Sequence, residues 1–163
     1  MKKFLNILTA MLLAVVSTSC LEHDLEELDV YSGCDITRVD CYYRWKSDET
    51  HSGTEAEKVK QVYVSAYSRT YVTDENDPTK GTCTIRYAKN NIPAEFKADC
   101  EKNYPNERGM VVAVTISSAA TMKPIGNAPQ LGVPADWTDD YEYEVTAADG
   151  TKKIWKIVVE CGD

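Results

Sequence analysis

The stretch that decides the fold is YEYEVTAADGTKKIWKIVVE, residues 141–160 of the chain. Apolar and polar side chains alternate on both sides of Asp149-Gly150. A period of two is typical of a strand with one buried face, and Asp-Gly between two such runs favours a tight turn. These residues are therefore predicted to form a β-hairpin.

The same alternation recurs upstream, between segments rich in Gly, Pro, Asn and Asp. The runs are residues 35–46, 58–72, 82–88 and 110–118. Helical periodicity is nearly absent after residue 34, so the sequence predicts an all-β fold, an antiparallel β-sandwich of about seven strands. A β-barrel is the alternative, because it would give the same pattern.

Two runs allow their faces to be assigned. In run 35–46, one face is predicted to be buried, and it comprises Val39, Cys41, Tyr43 and Trp45. Run 58–72, taken as one strand, has a predicted buried face of Val62, Val64, Ala66 and Val72. Its opposite face is an aromatic strip of Tyr63, Tyr67, Arg69 and Tyr71, with Tyr42 and Arg44 of the preceding run as expected neighbours.

The aromatic strip is the candidate ligand site. Sugars present apolar C–H faces that stack on flat rings, and hydroxyl groups that bond to Arg, Asp and Asn. Exposed tyrosines on a rigid sheet could therefore bind a glycan. Two other interpretations stay open: the tyrosines form the core and the faces are reversed, or they only stabilise strand pairing.

The N-terminus carries an export signal. Basic residues precede an apolar run of thirteen, which is too short for a lasting transmembrane helix, and small residues follow. The end of this segment, Ser17-Thr18-Ser19-Cys20, resembles a bacterial lipoprotein box, which implies lipid attachment at Cys20. We therefore expect a signal peptide over 1–19, a lipidated tether over 20–33 and the domain over 34–163. A plain secreted protein is the alternative.

Charge and cysteine content limit the partners. The net charge of -8 argues against nucleic acid, whose phosphates need a basic surface, and leaves the lipid on Cys20 as the expected membrane contact. An oxidising compartment would permit disulfides, but five cysteines remain after Cys20, so at least one is unpaired within the chain. They are Cys34, Cys41, Cys83, Cys100 and Cys161, and the sequence does not give their pairing.

The sequence predicts no enzyme, no cofactor and no metal site. The two histidines, His23 and His51, lie beside no plausible nucleophile, and there is no CxxC pair for zinc. The oxygens of Asp74, Asn76 and Asp77 lack the spacing of a calcium loop and are interpreted as a turn.

Residues 35–160, and most strongly 115–159, resemble immunoglobulin-like modules of unknown function in surface lipoproteins of Bacteroides-type bacteria. The matching positions are Ser118, Pro124, Asp136, Trp137, Tyr143, Val145, Thr146, Ala147, Asp149, Gly150 and Trp155. Segment 89–109 is longer than the pattern. The resemblance implies an immunoglobulin-like sandwich on the outer membrane, facing outward. We expect a non-catalytic binding module, with glycans as the candidate ligand; the alternative is a spacer or a subunit of a surface protein assembly.

Overall fold

A computed structural model of the chain describes residues 31–50, 57–96 and 109–162. The chain divides into Met1–Val30 and Tyr31–Asp163, and every described residue belongs to the second unit. The predicted signal peptide, Cys20, Cys100 and both histidines lie outside the described residues. No helix in the described ranges is long and apolar enough to cross a membrane.

The described residues contain eight strands, so the all-β prediction is confirmed with one strand more than expected. The strands are β1 (Ile36–Thr50), β2 (Glu57–Val64), β3 (Ala66–Thr73), β4 (Lys80–Ala88), β5 (Met110–Ile116), β6 (Thr121–Pro124), β7 (Tyr141–Thr146) and β8 (Lys152–Gly162). A short 3₁₀ helix, Lys89–Asn91, follows β4.

The strands form two sheets rather than a closed barrel. One has the order β2-β1-β5 and is antiparallel, and the other has the order β3-β4-β8-β7-β6. In the second sheet β4 and β8 run parallel, while the other neighbours are antiparallel. The fold is therefore a β-sandwich in which one sheet is mixed.

The predicted C-terminal hairpin is confirmed as β7 and β8. Tyr143 pairs with Trp155 across the two strands. In the turn, the Ala147 amide donates to the Thr151 carbonyl at 2.8 Å, and Gly150 has a φ of 88°. Glycine adopts this left-handed backbone without steric cost, which is why Asp-Gly is a reliable turn signal.

The core lies between the two sheets. The largest fully buried side chains include Tyr43 and Trp45 of β1, Tyr87 of β4, and Trp155 of β8. The predicted buried face of β1 is confirmed, because Val39, Cys41, Tyr43 and Trp45 are all buried. Burying one such side chain contributes about 1.5–3 kcal/mol, so the alternating pattern fixes which face turns inward.

The prediction of one strand over residues 58–72 is wrong. The chain leaves the three-stranded sheet after Val64, which is fully buried as expected, and enters the other sheet at Ala66. Ala66 pairs with Tyr87 and Ser68 with Arg86, so Tyr67 is an extra residue in a β-bulge. A bulge shifts the alternation by one. Val72, expected in the core, is consequently 58% exposed.

The same bulge turns Arg69 and Tyr71 inward, where they join the two sheets. Strand β2 stops pairing with β1 at Cys41, so the main chain of Val39 has no partner from β2. The Val39 amide donates to the Tyr71 hydroxyl at 3.1 Å, and Arg69 Nε donates to the Val39 carbonyl at 2.8 Å. Two side chains of β3 thus satisfy the polar groups that β2 leaves open.

Candidate functional site

Tyr42 and Tyr63 lie side by side on the outer face of the three-stranded sheet. They are directly opposite each other in the β1–β2 register, and their rings meet edge to face at 5.5 Å and 66°. Tyr63 is 41% exposed. Cross-strand aromatic pairs of this kind hold both rings in place, so an exposed aromatic surface is available on a rigid support.

A charged cluster borders this pair on the side of Asp40. Its carboxylate accepts a hydrogen bond from Arg38 Nε at 2.6 Å and from the Tyr63 hydroxyl at 3.4 Å. Arg69 Nη2 donates to the Tyr63 hydroxyl at 2.5 Å and lies 3.5 Å from Asp40. The hydrogen bond to Asp40 and its charge raise the pKa of Arg38. Donors and an acceptor are therefore fixed beside the rings.

Arg44 occupies the other side of the tyrosine pair. Its Nε and Nη2 atoms donate to Gln61 Oε1 at 2.8 and 2.6 Å, and its Nη1 atom donates to the Gly132 carbonyl at 2.8 Å. The guanidinium is held from two directions and does not have to be ordered by a ligand, which lowers the entropic cost of binding. We call the surface formed by Arg38, Tyr42, Asp40, Arg44, Gln61 and Tyr63 the tyrosine face.

The structure divides the predicted aromatic strip. Of its four members, Tyr63 and Arg69 contact each other, and the expected neighbours Tyr42 and Arg44 also lie on this surface. Tyr71 does not present its hydroxyl to solvent, because that group is bonded to Val39, and burial raises its pKa. Tyr67 is 60% exposed, but it lies on the bulge of β3, and its hydroxyl is packed against Gly162 of β8. Neither Tyr67 nor Tyr71 belongs to the tyrosine face.

A concave surface elsewhere on the domain was missed by sequence reasoning. A groove of about 360 Å³ lies on the five-stranded sheet, and it is lined by Val72, Asp74, Lys80, Gly81, Thr82, Glu142, Ile154 and Lys156. These residues come from β3, β4, β7 and β8 and the turn before β4. No single run of sequence contains them, so only the strand order could have indicated the groove.

Some charged side chains of the groove and of the adjoining turn already have partners within the protein. Lys80 lies 3.1 Å from Asp77, and this hydrogen bond raises the pKa of Lys80. Asp74 Oδ1 accepts from the Asn76 amide at 2.8 Å, and Asp77 Oδ1 accepts from the Thr79 amide at 3.1 Å. The two aspartates thus shape the turn, as expected from the sequence. Among the described residues, no cluster of three or more His, Cys, Asp or Glu side chains could hold a metal ion.

Comparisons with known proteins agree with the fold and identify a family. A solved structure of a "putative secreted protein" from Bacteroides fragilis is 33% identical, covers 82% of this chain and 99% of its own, and gives a TM-score of 0.60. No curated protein matches. The model of the DUF5018-related family matches residues 36–158, which include both sheets and the tyrosine face. The chain belongs to the DUF5018-related family.

Proposed function

We propose that this protein is a lipid-anchored, non-catalytic binding module of the cell envelope, with a glycan as its ligand. In this proposal the signal peptide exports the chain, the lipid on Cys20 holds it at the outer membrane, and the domain faces the exterior. The N-terminal signal supports export, and so does the similarity to a Bacteroides fragilis protein described as secreted.

The observation that carries the proposal is the exposed Tyr63, paired with the half-buried Tyr42, between two sets of fixed polar groups. A sugar ring could stack its C–H face on Tyr63. Its hydroxyls could donate to Asp40 and accept from the guanidinium groups of Arg38 and Arg44. Because these side chains are already held by neighbours on β1 and β2, the surface is organised before a ligand arrives.

The alternative is a subunit or spacer that joins other chains through an open sheet edge. Val59 and Val72 favour it, because they are 57% and 58% exposed on the outermost strands β2 and β3. Other features of the edge strands β2 and β3 argue against pairing with another chain. Lys58 and Lys60 flank Val59, and the bulge at Tyr67 interrupts β3, which are two ways in which proteins discourage edge pairing.

The other two edge strands, β6 and β5, are also poorly suited to pairing with another chain. Strand β6 has only four residues and ends at Pro124, which cannot donate to a neighbouring strand. The outer side of β5 is covered by a loop, since the Gly132 and Ala135 amides donate to the carbonyls of Val112 and Met110 at 3.0 Å each. A side-chain ligand site on a sheet face therefore has more support than strand addition.

The proposal is tested by screening the purified protein on a glycan array and then titrating the strongest glycan against variants. Tyr63→Ala should weaken binding about tenfold or more, because loss of an aromatic anchor typically costs roughly 2 kcal/mol. Arg44→Ala, which leaves the aromatic pair intact, should weaken it as well. The matched control is Tyr67→Ala, an exposed tyrosine outside the tyrosine face, which should bind as the wild type does.

Three results would contradict glycan binding at this face. The first is an array without any specific signal. The second is a glycan whose affinity is unchanged in both Tyr63→Ala and Arg44→Ala, provided that circular dichroism shows both variants folded. The third is a loss of binding in Tyr67→Ala of the same size as in Tyr63→Ala.

A further inference from the structure

We propose that Cys41 and Cys83 close a disulfide between the two sheets while the domain folds. This inference does not depend on the glycan ligand. It uses the proposed export only for the compartment in which the bond would form.

Both thiols are buried in the core. Cys41 lies on the inner side of β1 and Cys83 on the inner side of β4, and their exposed fractions are 1% and 0%. Neither is bonded to another cysteine in the structure. Because β1 and β4 belong to different sheets, a bond between these residues would tie the sandwich together through its interior.

Tyr71 connects the surroundings of the two cysteines. It is the direct partner of Cys83 in the β3–β4 register. Its hydroxyl accepts a hydrogen bond from the amide of Val39, and Cys41 is the next inward residue on β1 after Val39. One side chain thus links the rung that holds Cys83 to the strand position adjacent to Cys41.

Strand β3, which pairs with β4, also lies close to β1. Cα atoms of β1 and β3 approach within 8 Å, and Arg69 Nε lies 2.8 Å from the Val39 carbonyl. Packed sheets are typically about 10 Å apart, and a disulfide needs Cα atoms within roughly 7 Å. Burial is the main cause of the raised pKa of each thiol; the charge of Arg69 lowers both pKa values, and Cys41 raises that of Cys83.

The other described cysteines are placed too far along their strands. Cys161 is the partner of Tyr87 in the β4–β8 register, four residues from Cys83, which is about 13 Å along a strand. Cys34 precedes β1, seven residues from Cys41, and its thiol donates to the Thr151 carbonyl at 3.1 Å. Within the described residues, Cys41 and Cys83 are therefore the pair suited to bonding.

The chemistry requires an oxidant and a thiolate. A small disulfide such as oxidised glutathione is attacked by one cysteine thiolate, which forms a mixed disulfide and releases one glutathione. The second thiolate then displaces the other glutathione and completes the Cys41–Cys83 bond. The protein loses two electrons and two protons, and the oxidant is reduced to two thiols.

Burial decides when this reaction can occur. Desolvation raises the pKa of Cys41 and of Cys83 to about 12. At pH 7 only about one in 10⁵ of such thiols is ionised, and the nucleophile is the thiolate. The bond should therefore form before the sheets close over the two residues. Once the domain is folded, the reduced pair should resist oxidation and the oxidised pair should resist reduction.

The test compares two orders of addition on the purified protein. In one, the denatured, reduced protein refolds in a mixture of reduced and oxidised glutathione; in the other, oxidised glutathione is added after refolding. Free thiols are alkylated, and proteolytic peptides are identified by mass spectrometry. The first order should give a linked Cys41–Cys83 peptide pair, lighter by two hydrogens, and a higher denaturation midpoint. The second should leave both thiols reduced.

Single cysteine variants distinguish a Cys41–Cys83 bond from a bond that involves another cysteine. Cys161→Ala should keep the link and the higher midpoint, whereas Cys41→Ala should lose both. Separate alkylation of Cys41 and Cys83 after oxidative refolding would overturn the proposal, and so would a link from either residue to Cys34, Cys100 or Cys161. A link that forms on refolding but is absent from protein taken from cells would support the pairing and contradict export.

Discussion

At the residue scale, Val39 is the point at which the two sheets are joined. Its amide and carbonyl are satisfied by Tyr71 and Arg69, two side chains of the opposite sheet. Main-chain polar groups buried without partners are costly, so these contacts fix the position of β3 against β1. Arg69 also bonds to Tyr63, which connects this junction to the tyrosine face.

The hydroxyl of Tyr71 provides the first prediction. Tyr71→Phe keeps the ring but leaves the Val39 amide unpaired, which should lower the free energy of unfolding by roughly 1–2 kcal/mol. Tyr67→Phe removes a hydroxyl from an exposed tyrosine on the same strand and should change it by no more than about 0.5 kcal/mol. Urea denaturation of both variants measures the difference. Equal stability of the two would show that the Val39 contact contributes little.

A strained alanine provides the second prediction. Ala119 has a φ of 59°, which lies in the left-handed region that costs an L-residue roughly 1–2 kcal/mol. Its neighbour Ala120 does not have a positive φ. Ala119→Gly should therefore raise the free energy of unfolding by about 0.5–1 kcal/mol. Ala120→Gly should lower it, because Ala120 packs against the core. Thermal unfolding of the pair tests this, and a loss of stability in Ala119→Gly would contradict it.

At the scale of the elements, β8 is the strand that connects several parts of the sandwich. It pairs with β4 on one side and with β7 on the other. From its inner face, Lys153 Nζ donates to Asp35 at 2.9 Å and to Thr73 at 2.8 Å, and it lies 4.5 Å from the centre of the Trp155 ring. A single lysine thus connects the segment before β1, the end of β3 and the core.

Adjacent lysines on β8 allow a matched test of this role. Lys153→Ala should lower the free energy of unfolding by about 2 kcal/mol, since it removes two hydrogen bonds of a charged group and a cation–π contact. Lys152→Ala removes an exposed ion pair with Glu144 and should cost no more than about 1 kcal/mol. Denaturant titration of the two variants compares them. A larger loss in Lys152→Ala would mean that the inward lysine does not link these elements.

Local pattern was enough to predict some of these elements and not others. The β7–β8 hairpin and the buried face of β1 follow from alternation and from Asp-Gly, which act between near neighbours in sequence. The break at Ser65 and the bulge at Tyr67 do not, because a run that keeps alternating looks like one strand. Only the pairing of β3 with β4 shows that the inward parity changes after Ala66.

The candidate site shows the same limit. Tyr42, Tyr63 and Arg44 could be predicted as neighbours because β1 and β2 are consecutive and pair in register. Tyr71 could not be separated from them, since its partner Val39 is 32 residues away. The groove on the five-stranded sheet depends on the parallel pairing of β4 with β8, which joins distant parts of the chain and leaves no local signal.

At the scale of the whole molecule, the proposed attachment of a lipid to Cys20 can be tested in cells. Cys20→Ala should move the protein from the membrane fraction to the soluble fraction of fractionated cells, because two or three acyl chains are needed for firm anchoring. Cys161→Ala, which changes a cysteine within the domain, should stay with the membrane. If Cys20→Ala remained in the membrane fraction, the lipoprotein interpretation would be wrong.

Glycan binding at the tyrosine face is tested most directly by mapping the bound glycan onto the domain by NMR. The uniformly ¹⁵N-labelled protein is titrated with the glycan that gives the strongest array signal, and amide shifts are followed residue by residue. We expect the largest shifts to cluster on β1 and β2 around Tyr42, Arg44 and Tyr63. Shifts centred on Thr82 and Lys156 in the groove of the other sheet, or no shifts at all, would contradict it.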